Sequence, residues 1–199
     1  MKITLPIFLL ILIASSAKSQ DSNIDEFSQI PEDWLSLETD TYTISYPPSF
    51  TLDQSGTLGT KFILFFDSKP GSPFQENIVL VADVPKSGIS LEEYGKMSAR
   101  GVSMFFNDAK IMENKLVQQE DKQEYYLLNY TGKQGQFNLK WLQYAWFYGD
   151  IPYVLTLTCE ETEYDEYVEL GTQVMQSFKF NYIVKQSKIC ENREAVFLR

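Results

Sequence analysis

The sequence predicts an α+β fold, an α/β/α sandwich around a central antiparallel sheet. Three observations carry that expectation. Four strand-like segments follow one another between residues 110 and 159, separated only by short, turn-like stretches. Short connections join antiparallel neighbours, because a parallel crossover needs a dozen or more residues. One of these segments, Phe137 to Tyr148, is apolar on both faces, with Phe137, Leu139, Trp141, Ala145 and Phe147 on one and Leu142, Tyr144, Trp146 and Tyr148 on the other. A strand covered from both sides reads this way, whereas a one-sided sheet alternates with polar residues. An amphipathic helix precedes this meander and another follows it, and these supply the covering layers.

The chain opens with a leader. Met1-Lys2 gives a positive start, Ile3 to Ile13 is apolar apart from Thr4 and Pro6, and small residues follow. That order is a secretory signal peptide, and the apolar run is shorter than the roughly 20 residues a bilayer span needs. Ala17-Lys18-Ser19 places cleavage before Gln20, so residues 1–19 are read as the signal peptide; Ser15-Ser16-Ala17 offers a second cut, before Lys18. The apolar run is not followed directly by a Cys, so a lipid anchor is not expected. The mature protein is expected to be secreted or periplasmic, with no stable membrane anchor. Residues 20–41 form an acidic lead-in ordered at most by Trp34 and Leu35, 42–180 the folded domain, and 181–199 a tail carrying Cys190. A mature chain of about 180 residues suits one domain.

Within the domain, Tyr42 to Tyr46 alternates in period two and stops at Pro47-Pro48, so it reads as a first strand, which Phe50 to Leu52 extends past a kink. Thr60 to Phe66 and Asn77 to Val84 are the next two, each closed by proline. Ser90-Leu91-Glu92-Glu93 has the capping-box pattern and opens a helix with Leu91, Tyr94, Met97, Val102 and Phe105 as its inner face. Gly95 and Gly101 weaken that helix by up to about 1 kcal/mol each relative to Ala, a cost that close approach of a strand offsets. The meander strands are Lys110 to Gln119, Glu124 to Thr131, Phe137 to Tyr148 and Tyr153 to Cys159. A last helix starts near Thr162, with Asp165 and Glu166 in its first turn and Tyr164, Tyr167, Leu170, Val174, Met175 and Phe178 facing in.

Composition removes several function classes. The formal charge is −10, and −12 once Lys2 and Lys18 leave with the leader. Nucleic acid is not an expected partner, since phosphates call for Lys and Arg. There is no histidine. Ser-His-Asp and Cys-His mechanisms are therefore excluded within this chain, as are imidazole-based zinc and copper sites. No metal ligand set or cofactor motif is present, and neither catalytic residues nor a cofactor are expected. Six carboxylates between Glu160 and Glu169 read as helix N-terminal acids favoured by the macrodipole, not as a calcium loop. Cys159 and Cys190 are a possible disulfide in an oxidising compartment, although Cys159 shares an apolar strand face with Tyr153, Leu155 and Leu157. Aromatics crowd the meander. Most read as core, with Tyr126, Tyr130, Trp146 and Tyr148 as a possible ligand or partner surface.

Ile44-Ser45-Tyr46-Pro47 followed by Phe50 resembles the opening of Mog1/PsbP-fold proteins. The closing stretch, Tyr153 to Thr158, then Tyr164, Tyr167, Leu170, Val174 and Met175-Gln176-Ser177-Phe178, is similar to the end of bacterial secreted PsbP-like domains of unknown function. The resemblance covers about residues 42–180. It implies the same sandwich and a non-catalytic role, and it assigns no functional residue. The expected function is thus a secreted, non-enzymatic binding or assembly module with a protein partner in the envelope or secreted space. The alternative is a periplasmic carrier or sensor holding a small apolar ligand between sheet and helix.

Overall fold

A computed structural model of the chain describes residues 30–119 and 122–181. The leader, most of the tail with Cys190, and the first part of the lead-in lie outside the described residues. The described residues form ten strands and two α-helices: β1 (Leu35–Glu38), β2 (Tyr42–Tyr46), β3 (Thr51–Asp53), β4 (Thr60–Phe65), β5 (Asn77–Ala82), α1 (Leu91–Phe105), β6 (Asn107–Gln119), β7 (Lys122–Gln134), β8 (Phe137–Tyr148), β9 (Ile151–Glu160), α2 (Tyr164–Gln176) and β10 (Lys179–Phe180). Seven strands make one antiparallel sheet in the order β3-β4-β5-β9-β8-β7-β6. The other three make a small antiparallel sheet, β1-β2-β10.

The two faces of the large sheet are covered by different elements. On one face, α2 and the small sheet bury Ile44, Phe62, Leu80, Leu142, Trp146, Leu155, Leu157, Val174 and Met175. On the other, α1 packs over the meander, burying Leu91, Tyr94, Ala99 and Val102 against Tyr126, Leu128, Tyr130, Leu139, Trp141 and Ala145. The α/β/α sandwich predicted from the two-sided apolar pattern of β8 is therefore present, and the division of β8 between the two cores is the predicted one. Two-residue turns, Gly135-Gln136 and Gly149-Asp150, close the β7–β8 and β8–β9 hairpins, with Gly135 and Gly149 at positive φ. Glycine takes that backbone conformation at no steric cost.

The helix α1 starts where the capping box places it. Ser90 Oγ accepts from the Glu93 N–H, and the Glu93 carboxylate accepts from the Ser90 N–H at 2.8 Å. The glycines of α1 separate into two kinds. A Cβ on Gly95 would fall 2.2 Å from the ring of Tyr126, so α1 crosses β7 in near contact there, whereas at Gly101 the nearest atom is 3.8 Å away. On α2, a Cβ on Gly171 would fall 2.8 Å from Leu157, which makes that helix's close crossing of β9 glycine-dependent as well.

Four features differ from the sequence expectation. β1 lies inside the stretch read as lead-in: Leu35–Glu38 pairs with β2, and Leu37 alone on this short strand is buried, too weak a period-two signal to register. Thr51–Asp53 does not extend the first strand but joins the large sheet beside β4, because the Pro47–Phe50 turn carries the chain across from one sheet to the other. Met97 and Phe105 are exposed, not core. Met97 falls off the stripe formed by Leu91, Tyr94, Gly95, Ala99 and Val102, and α1 ends at Phe105. The next residue, Phe106, is extended and turns its ring inward, 4.8 Å from Trp141, in place of Phe105. Lastly, Pro152 sits within β9, opposite Phe147, and not in the preceding turn.

Candidate functional site

The acidic run at the start of α2 is engaged by a lysine from elsewhere in the chain. Lys69, on the loop between β4 and β5, donates to Glu163 at 3.0 Å and to Glu166 at 2.7 Å, and its Nζ lies 5.0 Å from the Tyr167 ring centre. The two carboxylates, Glu166 first, raise the lysine's affinity for its proton. Lys140, on β8, sits over the Tyr164 ring at 3.8 Å. Lys69 thus brings positive charge to two of the carboxylates at this turn. Among the described residues, no group of three or more His, Cys, Asp or Glu converges to hold a metal ion. Sequence reading missed Lys69, whose only signal was a lone cation in a Pro-Gly loop.

Beneath this turn lies Glu76, immediately before β5 and only 2% exposed. Its carboxylate accepts backbone hydrogen bonds at its own position and at Glu160, but Oε1 has no partner among the described residues. Burial raises its pKa above the ordinary carboxylate range, and the nearby Glu163 and Glu160 charges add to the rise. A carboxyl that holds its proton more tightly folded than unfolded favours the native state below the ordinary carboxylate pKa. That advantage is lost as pH climbs through the raised value. Glu76→Gln is therefore expected to flatten this part of the pH profile. Relative to the parent, the variant should gain stability on going from about pH 4 to pH 7, in the direction set by carboxylate burial. Urea titrations at both pH values measure the difference, which cancels the opposing contribution of Glu93, whose pKa the Ser90 cap lowers. A parent-minus-variant difference that does not change with pH would contradict it.

Cys159 is fully buried next to this group, and burial, reinforced by the Glu76 and Glu163 charges, pushes its thiol pKa up. It is a packing residue here, not a nucleophile. Its candidate disulfide partner, Cys190, lies outside the described residues.

The aromatic residues singled out as a possible ligand or partner surface do not share one. Tyr126 and Tyr130 are buried under α1, where Tyr130 stacks on Trp141 at 4.9 Å. Trp146 is buried on the opposite face against Phe178 at 5.0 Å, and the half-buried Tyr148 stacks on Phe180 of β10 at 4.9 Å. Ring-on-ring contacts occupy the space between the large sheet and its α2-side cover. Burial keeps the Tyr130 and Tyr144 phenols protonated, raising both pKa values, and Tyr94 is pushed up to about 12 by burial and by Asp83.

What the surface does present is an apolar face on α1 and the edge strand it runs into. Phe105 is 82% exposed and Met104 79%, and Met97 on α1 and Ile111 and Met112 on β6 are exposed too. Between α1 and β6 runs a shallow open groove of about 300 Å³ lined by Lys96, Ala99, Arg100, Ser103, Ile111 and Asn114. Lys96 is paired with Glu92 at 2.7 Å. Sequence reading missed this face because it assigned Met97 and Phe105 to the core.

The sequence from 30 to 180 matches the family model described as PsbP. No curated protein matches the chain. Several solved structures share the fold, three of them as follows. The solution structure of cyanobacterial PsbP (CyanoP) from Synechocystis is 16% identical over 77% of this chain and 96% of its own, with a TM-score of 0.56. PA94 from Pseudomonas aeruginosa, titled a protein of unknown function and putative regulator, is 12% identical over 72% and 94%, at 0.53. LpqN from Mycobacterium tuberculosis, described as involved in cell envelope biogenesis, is 7% identical over 75% and 91%, at 0.54. At these identities the likeness is one of fold.

Proposed function

The chain belongs to the PsbP family, and we propose that it is a non-catalytic binding or assembly module that works outside the cytoplasm through its α1–β6 face. One observation carries the reading: five large apolar side chains, Met97, Met104, Phe105, Ile111 and Met112, lie exposed on one helix and the edge strand beside it. Large exposed apolar side chains concentrated on one helix and one edge strand support an interaction surface there. The groups that would carry chemistry point the same way. The chain has no histidine, Cys159 is buried with a raised pKa, and the acidic turn is engaged by Lys69. The leader pattern supports export, and no helix among the described residues is long and apolar enough to cross a membrane.

The test uses the mature chain as bait for an envelope fraction, next to a Met104→Gln/Phe105→Gln variant. Because both positions are exposed, the double variant should fold with stability within about 0.5 kcal/mol of the parent per site. The parent is expected to retain a defined protein that the variant releases. Retention of the same protein by both would place the contact surface elsewhere. Turnover of ester, glycoside or phosphoester substrates by the parent would overturn the non-catalytic reading.

A further inference from the structure

We propose that the α1–β6 groove receives a protein segment in which carboxylates stand beside large apolar side chains, with Arg100 taking a carboxylate and with Ile111 in the groove and Met104, one helical turn beyond Arg100, taking the apolar anchors. The proposal rests on the binding-module reading above and adds the chemistry of the partner. The first argument is charge. The whole chain carries −10, yet the groove is lined by two cations and no acid. Lys96 is neutralised by Glu92, one helical turn away. Arg100 forms no hydrogen bond or ion pair among the described residues. An uncompensated guanidinium that lines the groove with Ala99 and Ile111 is suited to forked pairing with a carboxylate as the contact desolvates.

The rim supplies the second argument. Of the five methionines in the chain, Met1 belongs to the leader and Met175 to the core; the other three, Met97 and Met104 on α1 and Met112 on β6, are exposed on the two elements that border the groove. Unbranched thioether side chains adapt to varied apolar partners, so they suit a groove that takes a peptide and not a rigid small molecule. The groove is shallow and open, and cannot enclose a ligand as small-molecule sites do.

Other occupants fit less well. Adding a strand to β6 would need a regular edge. The β6–β7 register instead shifts between Asn107 and Lys110, between Ile111 and Glu113, and between Val117 and Gln119, and Lys110 and Lys115 stand on the strand. Bulges and lysines protect an edge from strand addition. An anionic membrane extends over the whole facing surface and meets the chain's net charge of −10, whereas a short segment meets chiefly the groove within a Debye length.

The chain's own stretch Gln20–Ile30, with Asp21, Asp25 and Glu26 beside Ile24 and Phe27, has the required chemistry and supplies the probe. A synthetic Gln20–Ile30 peptide is titrated at up to millimolar concentration into isotope-labelled mature protein and followed by amide chemical shifts. The expected result is shift changes confined to residues 96–105 and 110–114. Binding should weaken by about tenfold in Arg100→Glu, which removes a charge-assisted contact and adds a like charge. A peptide with Asn and Gln in place of its Asp and Glu should weaken similarly, and Arg100→Gln should fall between. Circular dichroism of both variants confirms that the exposed substitution leaves the fold intact. The proposal is overturned if the amide peptide binds as well as the acidic one, if the shifts fall elsewhere, or if no shift occurs. It is also overturned if sedimentation shows Arg100-dependent self-association without added peptide, or if the protein co-sediments with phosphatidylglycerol vesicles in an Arg100-dependent way. Loss of the envelope partner in Met104→Gln/Phe105→Gln but not in Arg100→Glu would sink this proposal alone and leave the binding-module reading standing.

Discussion

Trp141→Ala is expected to destabilise the protein by about 3–5 kcal/mol, the usual range for emptying an aromatic core site. The residue is 5% exposed at the middle of β8 and is the hub of the smaller core under α1. Its ring lies 4.9 Å from Tyr130, nearly parallel, and 4.8 Å from Phe106. Phe106 closes α1 and Tyr130 belongs to β7, so α1, β7 and β8 meet on this one side chain. Truncation leaves a void that the ladder on both sides of β8 prevents from collapsing, and the cavity term adds to the lost transfer energy. Phe105→Ala is the control, one residue before Phe106 but exposed, and should stay within about 0.5 kcal/mol of the parent. Urea titration measures both. A loss below about 1 kcal/mol for Trp141→Ala, the scale of ordinary surface changes, would mean that α1 does not seat on this face.

The contrast between neighbours in that experiment also marks where the sequence was legible. The central strand declared both of its faces through nine apolar and aromatic side chains among its twelve residues, and the structure divides them between the two covering layers as read. The capping box of α1 and the turns of the meander were local signals, written in residues whose own chemistry demands the conformation. What escaped was decided by tertiary geometry. Helical spacing placed Phe105 on the inner face, but a periodicity does not say where a helix stops, and the extended backbone at Phe106 moved the inward position by one residue. β1 is specified mainly by its ladder to β2, with Leu37 as its one buried side chain. The apolar face on α1 and β6 was hidden by the same assignment of Met97 and Phe105 to the core. Lys69 and Glu76 were unreadable for another reason: the carboxylates they meet lie around the β9–α2 turn, roughly 80 to 100 residues away, and no local pattern announces a contact at that separation. The aromatic residues of the meander show the limit from the other side. Their type suggested a surface, but an antiparallel ladder sends alternate side chains to opposite faces, so Tyr126 and Trp146 belong to separate cores.

Gly95→Ala and Gly101→Ala are expected to change stability in opposite directions, although both replace glycine by the best helix former within one helix. Propensity alone would stabilise each by roughly 0.5–1 kcal/mol. At Gly101 nothing opposes that gain, since an added Cβ would meet only the Phe105 ring at 3.8 Å, ordinary van der Waals contact. At Gly95 the Cβ would lie 2.2 Å from Cγ and Cδ1 and 2.3 Å from Cε1 of Tyr126. That ring has little freedom to move: Tyr126 is buried, and its hydroxyl donates to Asn114 Oδ1 on β6. Relief therefore requires α1 to lift away from β7, loosening the packing of Leu91, Tyr94 and Ala145 around the contact. Overpacking of a filled core costs about 1–3 kcal/mol, and the stiffness of this partner puts the net loss for Gly95→Ala at the upper end, about 2 kcal/mol after the propensity gain. Paired denaturant titrations decide the matter. Equal stabilisation by the two alanines would show that α1 does not touch β7 at Gly95, and the docking of the helix that carries Met104, Phe105 and Arg100 would have to be redrawn.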